Sequence, residues 1–470
     1  MRKVALHNLG CKVNSYELDV IGQKLEEKGF TIVPFDEQAD VYIINTCTVT
    51  NIADRKSRQM LHQAKKRNPE AIVVAAGCYV QTGKEQVLAD AGIDLAIGNN
   101  KKKDLVEILD AYLADREGAG SFDKTMNDTS VIDINATFDY EEMQLTNTAE
   151  HTRAYIKVQD GCNQFCSYCI IPFARGRVRS RHLDSIRQEI TGLAKAGYKE
   201  IVLTGIHISS YGIDFEDEAW ALGQCVEKPQ SSDRHDYSGA GKLLELIERI
   251  HDIPGIERIR IGSLEPRIVT AESAKRLAAM PKICPHFHLS LQSGCDETLK
   301  RMNRKYTTAQ FKESVQALRN AFGNPAITTD VIVGFPAETE TEFAATVDYL
   351  EDLSLYEMHI FKYSMRKGTR AAAMKEQIIE AVKTKRSAVL LEMEARKSKE
   401  YRSRFIGSTV KVLFEEAKEI QGKVYMIGHT REYVKVAVET EQALTNEIED
   451  VIVQGFLKDD ILTGNFIENI

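Results

Sequence analysis

Residues 154–169 read AYIKVQDGCNQFCSYC, a short run rich in apolar residues followed at once by three closely spaced cysteines. The run predicts a β-strand, and Cys162, Cys166 and Cys169 then fall in the loop at its end. Three thiolates on one short loop can hold three corners of an iron–sulfur cube and leave the fourth iron open for a substrate. A structural zinc site needs a fourth Cys or His close by, and none stands between Asp160 and Arg181.

The chain around this loop has an ordinary globular composition. Its 470 residues are 43% hydrophobic and 28% charged, which predicts two or three domains. The net charge of −8 argues against nucleic-acid binding over the whole surface but permits local basic patches. We find no signal peptide and no apolar run near the ~18 residues of a membrane span, which predicts a cytoplasmic protein with no membrane partner. In that compartment the nine cysteines favour metal or redox chemistry over disulfides.

The pattern of strands and helices predicts an α/β architecture in three parts. Residues 1–116 alternate apolar runs with helical periods, as in a Rossmann-like parallel sheet. Residues 117–150 lose this pattern and gather Gly, Ser, Asn and Thr, as a linker does. Six strands alternate with helices in residues 151–400, which predicts a partial (β/α)6 barrel. Residues 401–470 carry short strands at the spacing of a small β-barrel.

One stretch interrupts the second series of strands. Residues 214–241 contain the single tryptophan, Trp220, and are rich in Gly, Ser, Pro and Asp. We interpret this stretch as a surface insertion. Its Cys225, together with Cys284 and Cys295, stands outside any metal-ligand spacing, and for these three cysteines packing is the simpler role.

A second set of three cysteines is dispersed along the first domain. Cys11, Cys47 and Cys78 each directly follow an apolar strand. In a parallel sheet these positions emerge at the same carboxyl edge, where open α/β folds build their sites. A single such cysteine is most simply a small buried residue. Three at equivalent strand ends predict a second shared site.

The loop cysteines resemble the CxxxCxxC motif of the radical S-adenosylmethionine (SAM) superfamily. With the dispersed set added, the chain resembles the methylthiotransferases over nearly its whole length: an N-terminal methylthiotransferase domain, a radical-SAM barrel and a C-terminal TRAM domain. The resemblance implies two 4Fe-4S clusters, each held by three cysteines. It also implies that SAM, bound at the loop cluster, is cleaved to methionine and a 5′-deoxyadenosyl radical, while the auxiliary cluster carries the sulfur to be transferred.

Three motifs indicate a branch of this family. GCKVNSYE, ADVYIINTCTVTNIADRKSRQ and YSMRKGTRA most resemble the branch that converts N6-threonylcarbamoyladenosine at tRNA position 37 to its 2-methylthio derivative. The isopentenyladenosine branch typically has GCQMN in the first motif, and the branch acting on a ribosomal protein has GCPKN. Lys12-Val13-Asn14 is therefore the detail that distinguishes the three branches. The implied partners are a tRNA anticodon stem-loop and a reducing protein such as flavodoxin or ferredoxin. The alternatives are a methylthiotransferase for isopentenyladenosine-37 or a ribosomal protein, and a non-catalytic iron–sulfur or zinc RNA-binding protein.

The resemblance also implies residues that contact SAM. Tyr168 stands where an aromatic ring faces the adenine, although packing of the cluster loop explains it equally well. Gly205 matches a glycine that lets bare backbone approach the methionine amino group, although it is also a simple turn residue. Ser290 and Gln292 match polar contacts to the ribose, and Asp330 opens the strand that faces the adenine.

Three segments are candidates for RNA contact. Arginines recur at every second position in FARGRVRSRH, which on an extended segment puts Arg175, Arg177, Arg179 and Arg181 on one side. They could meet tRNA phosphates or carboxylates, or form structural ion pairs. Residues 54–67 form a basic helix that is either an RNA face or an ordinary solvated one.

The C-terminal domain is acidic for an RNA-binding module. From residue 403 onward it has seven lysines and arginines against twelve aspartates and glutamates. RNA contact there would need a local patch of interleaved basic and aromatic residues, for which the candidates are Lys423, Tyr425, His429, Arg431 and Tyr433. The alternative is a purely structural barrel.

Overall fold

The fold is taken from a computed structural model that describes residues 2–118, 130–146, 152–215 and 239–467. Part of the predicted linker and most of the predicted insertion, including Trp220 and Cys225, lie outside these ranges. The described residues form a parallel sheet with helices, a partial (β/α) barrel and a small closed β-barrel. The predicted fold class is therefore confirmed.

The N-terminal unit is a parallel sheet with the strand order β2-β1-β3-β4-β5. Its strands are β1 (Lys3–Asn8), β2 (Thr31–Val33), β3 (Val41–Thr46), β4 (Ile72–Gly77) and β5 (Leu95–Ile97). All residues of β3 and β4 are buried, because helices cover both faces of a parallel sheet. The helices are α1 (Lys12–Glu27), α2 (Asn51–Arg67), α3 (Cys78–Thr82), α4 (Lys84–Leu88) and α5 (Leu105–Arg116).

Helix α1 starts closer to the first dispersed cysteine than its apolar pattern predicts. The spacing of Leu18, Ile21 and Leu25 predicts a helix that begins after Ser15, but α1 begins at Lys12 with Cys11 as its N-cap residue. Leu18 and Leu25 are buried on the predicted face, and the chain leaves the helix through Gly29, whose φ is +84°. The start of α1 therefore carries Cys11 and Lys12 to the carboxyl edge of the sheet.

The central unit contains the six predicted parallel strands. They are β6 (Arg153–Asp160), β8 (Glu200–Gly205), β9 (Arg258–Ile261), β10 (His286–His288), β11 (Ala326–Val333) and β12 (Glu357–Lys362). A two-residue antiparallel strand, β7 (Arg179–Ser180), flanks β6. Single bridges from Ile259 to Ile283 and from Leu264 to Leu289 join the β9 and β10 sides. The strands thus follow one another as a partial barrel.

Helices pack on the outside of this barrel. They are α6 (Ile171–Arg175), α7 (Leu183–Lys195), α8 (Gly239–His251), α9 (Ala271–Ala278), α10 (Asp296–Arg301), α11 (Thr308–Phe322), α12 (Glu340–Leu353) and α13 (Glu380–Ser403). Helices α9, α11 and α12 begin with capping boxes at Thr270, Thr307 and Thr339, which satisfy backbone N–H groups of the first turn. Among the described residues, every helix is too short or too polar to cross a lipid bilayer.

The described part of the predicted linker packs between the first two units. Ile134, Met143 and Leu145 are buried. The Tyr16 hydroxyl donates to the Met143 carbonyl at 2.5 Å, and the Leu145 N–H donates to Glu189 at 2.6 Å. Residues 130–146 therefore tie α1 to α7.

The C-terminal unit is a closed barrel with the strand order β13-β14-β15-β17-β16. Its strands are β13 (Thr409–Ile420), β14 (Lys423–His429), β15 (Lys435–Glu439), β16 (Ile448–Lys458) and β17 (Ile461–Phe466). All five were predicted from their alternating pattern.

The proposed RNA patch on this barrel is wrong for most of its residues. Arg258 and Arg260, at the start of β9, donate at 2.9 Å to the carbonyls of His429 and Arg431. The ring of Tyr433 stacks on that of His429 with 4.4 Å between centroids, and the guanidinium of Arg260 lies 4.7 Å from its centre. These side chains close the floor of the central barrel. The sequence prediction was wrong because interleaved aromatic and basic residues are as suited to a protein interface as to RNA binding. Of the five, only Lys423 is exposed, and it pairs with Glu439.

Candidate functional site

The cysteine loop leaves β6 through a glycine that no other residue could replace without moving the backbone. Gly161 has a φ of +72°, and a Cβ there would lie 1.8 Å from the Arg177 carbonyl oxygen. The Cys162 N–H donates to the Gly176 carbonyl at 3.0 Å, and the Ser167 N–H donates to the Met302 carbonyl at 3.0 Å. Backbone contacts therefore fix both ends of the loop.

The three loop thiols share one site. Burial is the largest influence on the pKa of Cys162, and the neighbouring charges of Cys166 and Cys169 raise it further. Burial and the charge of Cys166 raise the pKa of Cys169 to about 12. Arg304 acts in the opposite direction and donates to the Cys166 Sγ at 3.2 Å. Buried thiols that resist ionisation together become thiolate ligands when a metal supplies positive charge, so this donor set fits an iron–sulfur cluster.

Cys11, Cys47 and Cys78 also lie together, at the carboxyl edge of the N-terminal sheet. A Cβ on Gly10 would lie 3.1 Å from the Cys47 Sγ, so the residue before Cys11 rests against Cys47. Burial raises the pKa of Cys47 to about 11, and the charges of Cys78 and Cys11 add to the rise. Three converging thiols, with no fourth cysteine beside them in the part of the chain that the structure describes, again fit a cluster with one open iron. Their role as ligands stays a prediction.

Two polar side chains hold Cys78. The Arg175 Nε donates to its Sγ at 3.3 Å, and the Asn99 Nδ2 donates to it at 3.4 Å. Asn99 also donates to the Ala174 carbonyl at 2.7 Å. The helix after the cysteine loop therefore packs directly against the dispersed set. Neither contact follows from a sequence motif.

A buried ionic network links the two sets of cysteines. The Arg175 Nη1 and the Lys157 Nζ lie 2.6 and 2.8 Å from Glu17 Oε1, and both cations also contact Asp160. Lys102 pairs with the second oxygen of Glu17. These cations hold the pKa of Glu17 well below its usual range despite its burial. Because Glu17 belongs to α1 and Asp160 stands two residues before Cys162, the network fixes the distance between the two sites.

The arginine run does not form one RNA-facing row. Arg175 ends a short helix, and Arg179 and Arg181 are fully buried in ion pairs with Asp160 and Glu189. Only Arg177 of the four is exposed, and it stacks over Phe165 at 4.7 Å. The structural ion-pair alternative is therefore correct for three of the four, because strand β7 is too short to keep the run extended.

The residues that resemble SAM contacts follow one path from the cysteine loop. Arg304 bridges the Cys166 Sγ and the Ser290 carbonyl, which it contacts at 3.4 Å. Gln292 donates its N–H to the Asp330 carbonyl at 2.8 Å. Tyr168 packs edge-on against Phe335, with 6.4 Å between ring centroids.

Gly205 lies at the end of β8 in close contact with the neighbouring strand. A Cβ there would lie 3.1 Å from the Gln159 carbonyl oxygen and 3.0 Å from the Gln159 Oε1. Strand packing therefore explains the glycine without a ligand. The roles of Gly205 and of the other four residues toward SAM stay predictions.

Two histidines next to Asp330 escaped the sequence analysis. His288 Nε2 lies 3.3 Å from Asp330 Oδ2, and the rings of His288 and His359 stack with 5.7 Å between centroids. All three residues lie on adjacent parallel strands. Along each strand the adjacent residue, Phe287, Val331 or Met358, packs against the helices, so the side chains of the two histidines and Asp330 lie on the opposite face of the sheet. The inner face of the barrel is therefore polar here. The alternation of polar and apolar residues along each of these strands was the sequence signal that could have identified the two histidines.

The first turn of α2 meets the segment after β12. The Asn51 N–H donates to the Ser364 Oγ at 3.1 Å, and Arg366 pairs with Asp54 at 2.8 Å. Large apolar side chains are exposed along this seam, namely Val49, Ile52, Phe361 and Met365. Basic side chains are exposed beside them, namely Arg55, Lys56, Arg58, Lys367 and Arg370.

Comparison with known proteins assigns both cysteine-bearing units. The radical SAM superfamily matches residues 156–350, and the uncharacterized protein family UPF0004 matches residues 3–98. The chain is 38% identical over 449 residues to the threonylcarbamoyladenosine tRNA methylthiotransferase MtaB of Bacillus subtilis (strain 168), covering 95% of this chain and 93% of that protein.

Two further relatives are also similar, and one of them is named for a different activity. The MtaB protein of Thermotoga maritima is 33% identical, covering 93% of this chain and 91% of that protein. The tRNA-2-methylthio-N(6)-dimethylallyladenosine synthase of Acetivibrio thermocellus is 32% identical, covering 95% of this chain and 87% of that protein. Among solved structures, the radical SAM methyltransferase TsrM of Kitasatospora setae matches with a TM-score of 0.51 at 18% identity, covering 77% of this chain and 75% of that one, a likeness of fold alone.

Proposed function

The chain belongs to the radical-SAM tRNA methylthiotransferases, and from that premise we propose that it converts N6-threonylcarbamoyladenosine-37 to its 2-methylthio derivative in the tRNA anticodon stem-loop. Four curated relatives that are 33–38% identical carry this activity in their names. The observation that carries the proposal is the pair of three-thiol sites joined by the Glu17 network. A reaction that needs both a radical and a sulfur source requires two such centres held at a fixed spacing.

We assign one 4Fe-4S cluster to each site. A cluster at Cys162, Cys166 and Cys169 would supply the electron that cleaves SAM, and an auxiliary cluster at Cys11, Cys47 and Cys78 would supply the sulfur carrier. The chain's own contribution is to orient these groups and to exclude water. Arg304 and Arg175 each donate to one ligand sulfur, and hydrogen bonds of this kind tune the potential of a cluster.

SAM is proposed to bind along the path from Cys166 to Asp330. Ser290 and Gln292 supply polar groups at the ends of strands, which is where barrel enzymes of this architecture place their ligands. Asp330 projects into the same space with 30% of its side chain exposed. Tyr168 and Gly205 complete the pocket in this proposal, Tyr168 by its ring and Gly205 by its bare backbone.

The tRNA is proposed to dock on the seam between α2 and the segment after β12. Exposed cations such as Arg55 and Arg370 suit the phosphate backbone. Exposed apolar side chains such as Ile52 and Phe361 suit unstacked bases of a single-stranded loop. Because the seam joins the two cysteine-bearing units, a base presented there can reach both sites.

The reaction also needs an electron donor from outside the chain. We propose a small reducing protein such as flavodoxin or ferredoxin, and a cytoplasmic location, where such donors and tRNA are both found.

Mass spectrometry of tRNA nucleosides from a deletion strain tests the proposed function. We expect loss of the 2-methylthio derivative of threonylcarbamoyladenosine, with the isopentenyladenosine derivative unchanged. Restoration by the wild-type chain but not by Cys162→Ala would tie the loss to the loop cysteines. Loss of the isopentenyl derivative alone would favour the activity for which the Acetivibrio thermocellus relative is named, and unchanged tRNA would overturn the proposal.

A further inference from the structure

Lys12 is a cation that the fold places beside the auxiliary cysteines without a partner. It directly follows Cys11 at the start of α1, and both side chains are exposed. Among the residues that the structure describes, its Nζ makes no hydrogen bond or ion pair, whereas Lys102 and Arg175 both pair with Glu17 of the same helix. An unpaired lysine beside a reaction centre is available to a ligand.

Helix α1 directs its first turn into the central barrel. Glu17, five residues beyond Lys12, is held 2.8 Å from the Lys157 Nζ on the inner face of β6. Burial lowers the pKa of Lys12, and the charges of Arg153 on β6 and Arg260 on β9 lower it further. Together with Glu200 on β8, these two arginines are the barrel residues whose charges act on Lys12. Lys12 therefore faces the barrel interior from the side of the auxiliary site.

The charged barrel residues around Lys12 pair with one another, which leaves the positive charge of Lys12 unmatched. Arg153 lies 3.2 Å from Glu415, and Arg260 lies 2.9 Å from Glu200. These two carboxylates are used by the barrel's own arginines, so neither is free for Lys12. The ligand that complements this space is an anion.

We propose that Lys12 binds the carboxylate of the threonylcarbamoyl group on the substrate adenosine, an inference that rests on the proposed function. The modified carbon, C2, and the carbon that bears the substituted nitrogen N6, C6, both flank N1 on one edge of the purine. A base whose C2 faces the sulfur carrier held by Cys11 thus directs its N6 substituent toward the neighbouring residue. The isopentenyl group is an uncharged hydrocarbon and would leave Lys12 without a partner, so the same contact rejects that substrate.

Equilibrium binding of modified anticodon stem-loops to the reconstituted holoenzyme tests this contact. One RNA carries the threonylcarbamoyl group, and a second carries the same group with its carboxylate converted to the primary amide. A charge-assisted hydrogen bond of about 1.5–3 kcal/mol corresponds to wild-type preference for the acid of roughly 10- to 100-fold. We expect Lys12→Gln to bring the acid-to-amide ratio of Kd values close to one and Lys12→Arg to retain most of it.

Matched controls separate this inference from a structural effect and from the proposed function. Lys28→Gln makes the same charge change at the far end of α1, where the lysine pairs with Asp110 on the surface, and should keep the wild-type ratio. Iron content per chain should equal the wild-type value in all three variants. A Lys12→Gln protein that keeps the wild-type preference for the acid would overturn the inference while leaving the proposed function standing. A wild-type enzyme that fails to modify threonylcarbamoyl RNA would overturn both.

Discussion

Cys162, Cys166 and Cys169 share one short loop, whereas Cys11, Cys47 and Cys78 stand at the ends of three separate strands. The loop site is held by backbone contacts within the central unit, at Gly161 and at Ser167, which donates to Met302. The dispersed site depends on the order of strands in a sheet and on Arg175, which another unit supplies. The comparison teaches that one site is built within a single unit, whereas the other is completed by an arginine from a second unit.

The sharpest test of this difference removes one ligand from each site. We expect Cys162→Ala to lower SAM cleavage to 5′-deoxyadenosine by at least ~100-fold, since the electron source is lost. Cys11→Ala should retain cleavage and lose methylthiolated product. Chromatography of both products from one reaction measures the two effects together.

Cys295→Ala is the control, since Cys295 lies outside both sites and should leave both products at wild-type levels. Methylthiolated RNA from the Cys11→Ala protein would show that the dispersed cysteines do not form the sulfur-carrying site.

Arg175→Met tests the dependence of the dispersed site on docking. The change leaves Glu17 and Asp160 without one of their buried cations. Breaking a buried ionic network in this way costs about 3–5 kcal/mol, so we expect a clear drop in thermal midpoint together with loss of iron from the auxiliary site. Differential scanning calorimetry and iron analysis measure the two. A variant as stable as wild type would contradict the network's role.

Arg304→Met is the matched change at the loop site. Among the described residues, its hydrogen bonds reach Cys166 Sγ, the Tyr306 hydroxyl and the Ser290 carbonyl rather than a carboxylate. The expected loss of stability is about 1–3 kcal/mol, as for removing a buried charged donor. The reduction potential of the loop cluster should shift because a sulfur loses a hydrogen bond. A larger loss than that of Arg175→Met would reverse the proposed order of dependence.

Arg177→Ala should have the smallest effect. This arginine is exposed and stacks on Phe165, so stability should change by no more than about 0.5 kcal/mol. If Arg177 meets a phosphate, RNA affinity falls a few-fold and the slope of log K against log salt decreases by about 1. Titrations of an anticodon stem-loop at several salt concentrations measure both. An unchanged slope would mean that none of the four arginines contacts RNA.

The parts of the molecule predicted well are those in which local pattern and fold agree. Six barrel strands and five C-terminal strands were predicted because apolar alternation reports strands directly. The prediction that the four arginines lie on one side was wrong, because their period of two was interpreted as one extended segment. In the structure Arg175 ends a helix and Arg179 opens a two-residue strand. The prediction that Tyr433 and His429 contact RNA was wrong because an RNA-binding patch and an interface between domains can contain the same mixture of basic and aromatic residues.

The contacts that no pattern predicted come from distant parts of the chain. Asn99 and Arg175 reach Cys78 from another loop and another unit. Lys12 was singled out by resemblance alone, and its position in the barrel cavity follows only from the docking of α1 through Glu17. Such contacts depend on the three-dimensional arrangement of elements far apart in sequence.

Iron analysis of anaerobically reconstituted protein tests the presence of two clusters most directly. Two cubane clusters correspond to about eight iron atoms per chain, and we expect that value for the wild type. Replacing Cys11, Cys47 and Cys78 together by alanine should leave about four, with SAM cleavage retained. A wild-type chain that binds about four iron atoms, or a triple variant that still binds about eight, would contradict the second site.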